Sequence, residues 1–466
     1  MTSARESVEY LLDRIFDIDS LVNAVCTLNV DAADQAAALD AEAAADGSRG
    51  PLHGQAALIK DNTDTADMLT TAGSLALTEK PPPTDAALVR RMRAAGMVVV
   101  GKTNLSEWSN LRDHASTSGW SAYGGQTRNP YGLNRSPGGS SSGSAAAVAA
   151  GMAPYAIGTE TDGSITCAAA YCGCVGLKPT VGLVPTAGVV PISWSQDSPG
   201  PMTRSVYDAA ALLSVLADNG TDYASHASDG RLAGKRIGVP RKMFWGYSPL
   251  ADAAAERAVE MLAAQGATIV DGTDLLSMVD CGSDDELQVL VAEMEVGIGR
   301  YLAARTEEAP KTLSDVVAFN RARAEEELLH FGQSFFEMAL EAPGVDTQEY
   351  KLARAACLAH GRDEGIDKVL HDHNLDALVT PSYNPAIPID LVNGEHHWGS
   401  CTQPPAMAGY PLLTVPSGVA HGLPVAVSFW GTAGSEPTLI EIAHGYERAR
   451  DAVDGPLPEP TYPTFI

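Results

Sequence analysis

Seven consecutive positions, residues 138–144, are all glycine or serine, and this run constrains the chain more than any other stretch. It lies in Ser136-Pro137-Gly138-Gly139-Ser140-Ser141-Ser142-Gly143-Ser144 and continues into the small apolar residues 145–152. A second polar turn follows, Thr159-Glu160-Thr161-Asp162-Gly163-Ser164-Ile165-Thr166. A Gly/Ser loop exposes backbone N–H groups and hydroxyls and lets another group approach closely. The alanine-rich segment after it has high helix propensity and no bulky side chain. Loop, small-residue helix and return turn can bring two sets of hydroxyls to one place, a candidate active site built from serines.

Two motif matches near this stretch fail on their context. Gly139-Ser140-Ser141-Ser142-Gly143 fits the G-x-S-x-G elbow of α/β-hydrolases, which needs a buried strand immediately before it. The preceding residues, Asn129-Pro130-Tyr131-Gly132-Leu133-Asn134-Arg135-Ser136-Pro137, are loop chemistry. Gly96-Met97-Val98-Val99-Val100-Gly101-Lys102-Thr103 fits the phosphate-loop pattern G-x-x-x-x-G-K-[ST]. Three valines in its middle predict a buried strand, and β-branched residues adopt loop conformations poorly. Nucleotide binding is not expected.

At 466 residues the chain can bury a large core. Its 45% hydrophobic and 19% charged residues are those of a globular protein. A net charge of -27 argues against nucleic acid as a partner, since phosphate binding needs clustered Lys and Arg. We read that charge as solubility rather than as selection of cationic substrates. The first ten residues hold no apolar leader segment and no apolar run reaches membrane-spanning length, so a cytoplasmic location and no membrane partner are expected. The seven cysteines are scattered, and Cys167, Cys172 and Cys174 lack zinc-site spacing, which predicts buried thiols. His371-Asp372-His373 and His396-His397 have no matched second cluster and read as surface histidines, with no metal expected.

Taken in order, residues 3–45 read as helices, with Val8, Leu11, Leu12, Ile15 and Phe16 at helical spacing. Ala56-Ala57-Leu58-Ile59 predicts a short buried strand that delivers Lys60-Asp61-Asn62 at its end. An apolar run that carried Lys60 inside would lower its pKa and make it a usable base. Residues 85–95 predict an amphipathic helix, 104–110 the start of another, and 113–131 a long loop. Residues 174–180 and 197–202 read as loops, and 205–216 as helix. Strands at 235–239 and 268–270 flank a helix at 251–265, residues 284–373 read as mostly helical, and strands return at 376–379, 412–415 and 425–429. With no repeats, this predicts one domain: N-terminal helices (1–50), a core (51–215), a variable helical region (220–373) and a return to the sheet (374–450).

Several of these segments together resemble the amidase signature family. The resemblance rests on Ala57-Leu58-Ile59-Lys60-Asp61-Asn62, Gly101-Lys102-Thr103-Asn104-Leu105-Ser106-Glu107-Trp108, residues 137–147 and 158–165, and Gly176-Leu177-Lys178-Pro179-Thr180. Gly200-Pro201-Met202-Thr203-Arg204-Ser205, Met407-Ala408-Gly409-Tyr410-Pro411 and Gly422-Leu423-Pro424-Val425 extend it, while residues 220–370 fall outside. The variant Thr-Glu-Thr-Asp-Gly-Ser at 159–164, with Ser118-Gly119-Trp120-Ser121 and Ile192-Ser193-Trp194-Ser195-Gln196-Asp197, is most similar to the peptide amidase branch, whose members hydrolyse C-terminal peptide amides. The fold this implies is α/β, a central mixed, mostly parallel twisted sheet flanked by helices.

The resemblance implies a Ser–Ser–Lys catalytic group: Ser164 as nucleophile, Ser140 as bridging serine after a non-proline cis peptide, and Lys60 as base. Ser140 and Ser164 stand 24 residues apart, as the family pattern requires. The backbone N–H groups of Thr161, Asp162, Gly163 and Ser164 take the oxyanion-hole positions. The chemistry is coherent in itself, because a serine hydroxyl is a poor nucleophile until a base removes its proton, and no histidine accompanies these motifs. An anionic Asp162 beside an oxyanion would be unfavourable, so its carboxylate is expected to point away. Ser141 and Trp120 are candidate substrate contacts, and Trp194 is a second candidate wall of the acyl side. The activity implied is cofactor-free hydrolysis of a small-molecule or peptide amide through an acyl-enzyme. The alternatives are a glutaminase-type subunit of a tRNA-dependent amidotransferase, an amidase for aryl or aliphatic amides, and a catalytically inactive binding member.

Overall fold

The computed structural model describes residues 3–466 apart from 228–231, 280, 282, 307 and 309. Its strands in chain order are β1 (Val25–Leu28), β2 (Ala56–Lys60), β3 (Val98–Thr103), β4 (Trp120–Ser121), β5 (Gly125–Gln126), β6 (Tyr155–Glu160) and β7 (Val175–Lys178). They continue with β8 (Ser198–Thr203), β9 (Arg236–Val239), β10 (Thr268–Asp271), β11 (Ala377–Pro381), β12 (Leu412–Ala420) and β13 (Leu423–Trp430). All but β4 and β5, which pair with each other, join one 11-stranded sheet in the order β1-β3-β2-β6-β8-β7-β12-β13-β11-β9-β10. The sheet is mixed, as expected, but antiparallel neighbours outnumber parallel ones among the described residues. Only β2 with β3 and β6, and β9 with β10 and β11, run parallel. The reason is that consecutive strands β12 and β13 form a hairpin, and β8 runs antiparallel to both of its neighbours, β6 and β7.

Both faces of the sheet are covered. Strand β2 is buried at every position, as its unbroken apolar run requires. Alternation sends Ala57 and Ile59 to one face, against the helices Ala87–Ala94, Val206–Leu216, Pro249–Ala264 and Glu436–Asp454. Ala56 and Leu58 face the other way, against the helices Ala4–Val22, Ser142–Ala149 and Thr166–Cys172. Fully burying one leucine or isoleucine contributes roughly 1.5–3 kcal/mol. The next residue on the Ala56/Leu58 face is Lys60, which the alternation aims at the layer containing the Gly/Ser run.

Several segments differ from the sequence-based expectation. Strand β1 interrupts the N-terminal helices and pairs with β3; its four residues are too few to show a period. Phe16, placed in the helical stripe, is 86% exposed, whereas Val8, Leu11 and Ile15 are buried. Residues 104–110 form no α-helix: Trp108, Ser109 and Asn110 have φ of 47°, 56° and 72°, and only a 3₁₀ turn, Glu107–Asn110, is made. The segments 174–180 and 197–202, read as loops, contain the central strands β7 and β8. Prolines at 199 and 201 hid β8, since proline cannot donate to a ladder. The structure accommodates them because the pairing of β7 with β8 stops at Gly176↔Met202, just short of both.

Other expectations agree. The phosphate-loop match is strand β3, and the residues before the G-x-S-x-G match are irregular. Residues 284–373 are mostly helical, beginning with Ser283–Ala304. Cys167, Cys172, Cys174, Cys357 and Cys401 are buried. Among the described residues no helix is long and apolar enough to cross a membrane.

The tight join between β7 and β8 gives a test. A Cβ built on Gly200 would overlap the carbonyl oxygen of Leu177, a backbone atom with little room to yield. Gly200→Ala is expected to lower stability by about 1–3 kcal/mol, the usual cost of overpacking, read as a reduced Tm in calorimetry.

Candidate active site

Lys60 ends β2 between two parallel neighbours and is fully buried. Its Nζ lies 2.8 Å from Ser140 Oγ, 2.9 Å from Thr159 Oγ1 and 3.3 Å from the Thr159 carbonyl oxygen. Asn62 Nδ2 donates to the same Thr159 hydroxyl at 2.9 Å, which fixes that acceptor. Burial lowers the Lys60 pKa to about 7, and the charges of Asp197 and Glu160 oppose that shift without cancelling it. The adjacent Asp61 points elsewhere: Lys102 Nζ meets Asp61 Oδ1 at 3.1 Å, both side chains wholly buried. Lys102 also donates to the Thr63 and Leu69 carbonyls and to Thr70 Oγ1. Removing one partner of such a buried pair costs on the order of 3–5 kcal/mol, so the lysine of the phosphate-loop match is a structural element.

The serines of the Gly/Ser run divide by role. Ser141 Oγ accepts from Thr159 N and donates to Thr159 O, at 3.2 and 3.1 Å. Ser142 Oγ donates to Gly138 O at 2.6 Å, and Ser144 Oγ to Ile157 O at 2.9 Å. These three pin the loop and the helix Ser142–Ala149 to themselves and to β6. Ser140, which follows a cis peptide bond after Gly139, is the one whose hydroxyl meets Lys60.

The second turn leaves β6 and is organised by Glu160, whose Oε2 accepts the N–H groups of Ile165 and Thr166, each at 2.8 Å. Thr161 Oγ1 donates to Asp197 Oδ1 at 2.7 Å, and Ser141 N donates to Ser164 O at 3.0 Å, tying the two turns together. Among the turn and loop hydrogen bonds of the described residues, none uses the N–H of Thr161, Asp162, Gly163 or Ser164. Four amide donors therefore remain for an external acceptor, the requirement for an oxyanion site.

Ser164 borders a cavity of about 460 Å³, whereas the fully buried Lys60 and Ser140 do not border it. Two expected contacts do not border it. Ser141 is spent on Thr159, and Trp120 is a packing residue, its ring 5.1 Å from both His330 and Phe331 with Arg112 stacked at 5.6 Å. Trp194 is also absent from the wall and is 43% exposed beside Arg300. Asp162 does border the cavity. It therefore does not point away as expected; burial first, and then the neighbouring Glu286, raise its pKa well above the usual carboxylate range, which weakens the repulsion that expectation rested on.

The remaining wall was not legible. Glu286 and Leu290, one turn apart on the helix Ser283–Ala304, come from the region with no recognisable motif. Tyr383 and Thr402 follow β11 in sequence, their hydroxyls 3.2 Å apart. His397, read as a surface residue, borders the cavity with Nε2 3.2 Å from Glu395 Oε2. Glu395 accepts from Ser118 Oγ at 2.6 Å and Ser136 Oγ at 2.7 Å, which pins this loop beside the Gly/Ser run. The His-His pair was the only sequence signal for that loop.

The chain matches known proteins along nearly its whole length. The family model described as Amidase covers residues 6–440. A probable amidase of Arabidopsis thaliana is 36% identical over 96% of this chain and 87% of its own length. The glutamyl-tRNA(Gln) amidotransferase of Symbiobacterium thermophilum has an A chain that is 34% identical over 96% of this chain and 93% of its own. Among solved structures, the native peptide amidase from Stenotrophomonas maltophilia superposes with a TM-score of 0.91 at 43% identity, covering 99% of this chain and 95% of that one. A peptide amidase in complex with the competitive inhibitor chymostatin gives 0.91 at 44% identity, covering 97% and 95%.

Gly163 tests the turn. Its φ is +82°, and a Cβ there would overlap the Tyr383 hydroxyl. Gly163→Ala should lower kcat on an amide substrate at least tenfold and lower Tm as well. Adding Tyr383→Phe should recover part of that loss, because it relieves the overlap while the backbone strain stays.

Proposed function

This chain belongs to the amidase family, a hydrolase of carbon–nitrogen bonds in amides, and from that premise we propose that it cleaves C-terminal amides of peptides through a Ser164 acyl-enzyme. The observation that carries the reading is the contact of Lys60, its pKa near 7, with Ser140, in a loop whose Ser141 N–H bonds the carbonyl of the cavity-facing Ser164. Neutral Lys60 draws a proton from Ser140 as Ser140 takes one from Ser164, and the Ser164 oxygen attacks the carboxamide carbon. The developing oxyanion is received by the N–H groups of Thr161, Asp162, Gly163 and Ser164; one such donor typically contributes about 2.7–4 kcal/mol to the barrier. The C–N bond breaks as the relay returns the proton to the nitrogen, releasing ammonia from a primary amide. Water, deprotonated by the same relay, then attacks the ester and frees the carboxylic acid and Ser164.

Peptide amides are preferred over other substrates because the peptide amidases resemble this chain at 43–44% identity along nearly its whole length. The likeness to the amidotransferase chain, 34% identical in sequence, supports a second reading as the glutaminase component of such a complex. Ammonia release from a panel of peptide amides, glutamine, aliphatic amides and anilides separates the two. The purified chain should act on peptide amides alone and need no partner; silence on all but glutamine in a multisubunit complex would favour the second reading.

Ser164→Ala should abolish acyl-enzyme formation, seen by mass spectrometry, and Lys60→Ala and Ser140→Ala should each lower kcat by orders of magnitude. Near-normal turnover in Lys60→Ala would exclude the mechanism. Because the base acts when neutral, kcat/KM should fall about tenfold per pH unit below a midpoint near 7 and level off above it.

A further inference from the structure

Two carboxyl groups border the cavity that holds Ser164, and the amide-cleavage steps use neither: Asp162 and Glu286. Several buried acids elsewhere meet a cation or a full set of donors. Asp61 meets Lys102, and Glu107 and Glu327 meet Arg112. Glu293 is saturated by the hydroxyls of Ser193, Ser195 and Tyr350 and by Ser195 N. At the cavity the situation differs, because among the described residues bordering it there is no lysine or arginine. His397, the one basic residue there, is engaged by Glu395.

The two acids are unequal. Glu286, 6% exposed, accepts Gln196 Nε2 on Oε1 and Gln403 Nε2 on Oε2, each at 2.9 Å. Both of its oxygens therefore have a donor, which favours the charged form. Asp162 Oδ1 is buried with no hydrogen-bond partner. A second acceptor in the cluster is also unmet: Gln196 is fully buried, donates to Glu286 and to Thr161 O, and leaves its own Oε1 without a donor. Burial raises the pKa of both carboxyl groups, and the charge of Glu286 raises that of Asp162 further. The wall thus presents two acids that no lysine or arginine of the lining meets, with Lys178 acting on Asp162 from outside the lining, and a ligand bringing positive charge and N–H donors would supply what the lining omits.

We propose that Asp162 and Glu286 set the charge preference of the substrate: the cavity selects amides that carry a protonated amine within a side chain's length of the carboxamide and rejects those that carry a carboxylate there. The inference rests on the proposed amidase reading of Ser164 and extends it to the acyl group. It places selectivity in one pair of side chains rather than in the overall acidity of the chain.

Three matched substrates test it: N-acetyl-lysine amide, N-acetyl-norleucine amide and the α-amide of N-acetyl-glutamic acid. With the wild-type enzyme, kcat/KM should fall in that order, at least tenfold from lysine to norleucine and further to glutamate. Glu286→Gln combined with Asp162→Asn removes both carboxyl charges while keeping the shapes and should shrink the lysine-over-norleucine ratio to below about threefold, through KM rather than kcat. Either substitution alone should shift the ratio in the same direction. A merely structural role would lower all three substrates together and would overturn the proposal, as would a flat wild-type series. Calorimetric binding of the three amides to Ser164→Ala, with and without Glu286→Gln, reads the preference without turnover. Binding that favours lysine amide in the absence of any hydrolysis by the wild type would retain the charge preference and overturn the amide-hydrolysis reading. Binding that is indifferent to charge would overturn the preference alone.

Discussion

Placing one ammonium group where water cannot reach it is the constraint on which the site depends. A lysine in water keeps its proton at neutral pH and is no base; Lys60 changes character because β2 is apolar along its length and the next layer closes over its end. That burial has to be arranged without a neutralising carboxylate, which would return the proton. The chain has such a carboxylate next in sequence, Asp61, and occupies it with Lys102. The buried ion pair of the neighbouring strand is thus a condition for the free lysine. Thr159 and Asn62 then fix the Lys60 head without adding a full charge.

The same economy governs the serines. A glycine-serine run is flexible by composition, and the proposed relay needs one hydroxyl at a fixed distance. Three neighbours of Ser140 supply the rigidity by bonding to β6 and to their own loop. Glu160 does the equivalent for the second turn, binding two amides beyond Ser164 and so leaving the four before them free. Its position suits it to this, because a carboxylate at the end of β6 has the right reach to cap the helix Thr166–Cys172.

What the sequence made legible is the part of the site built from contiguous stretches. The apolar run marked the end of β2 and the two polar turns marked a place where hydroxyls could meet, while the resemblance to the amidase signature family singled out Lys60, Ser140 and Ser164 within them. Strand β8 was hidden by its prolines, and the segment 104–110 by a helical composition that three left-handed residues override. The cavity wall was hidden for a different reason. Glu286, Tyr383, His397 and Thr402 each stand alone in sequence and meet only through the tertiary fold. Ser141 and Trp120 misled in the opposite direction, since hydroxyls and aromatic rings near an active site serve packing as readily as recognition.

The join between β7 and β8 extends over only two residue pairs, Val175↔Thr203 and Gly176↔Met202. On one side of it lie β2 and β6, which hold Lys60 and Thr159; on the other lies β11, after which come Tyr383, His397 and Thr402. Asp162 and Ser164, which follow β6, face the cavity from the first side, and Tyr383, His397 and Thr402 face it from the second. The cleft is therefore walled by two parts of one sheet that meet through a single short join.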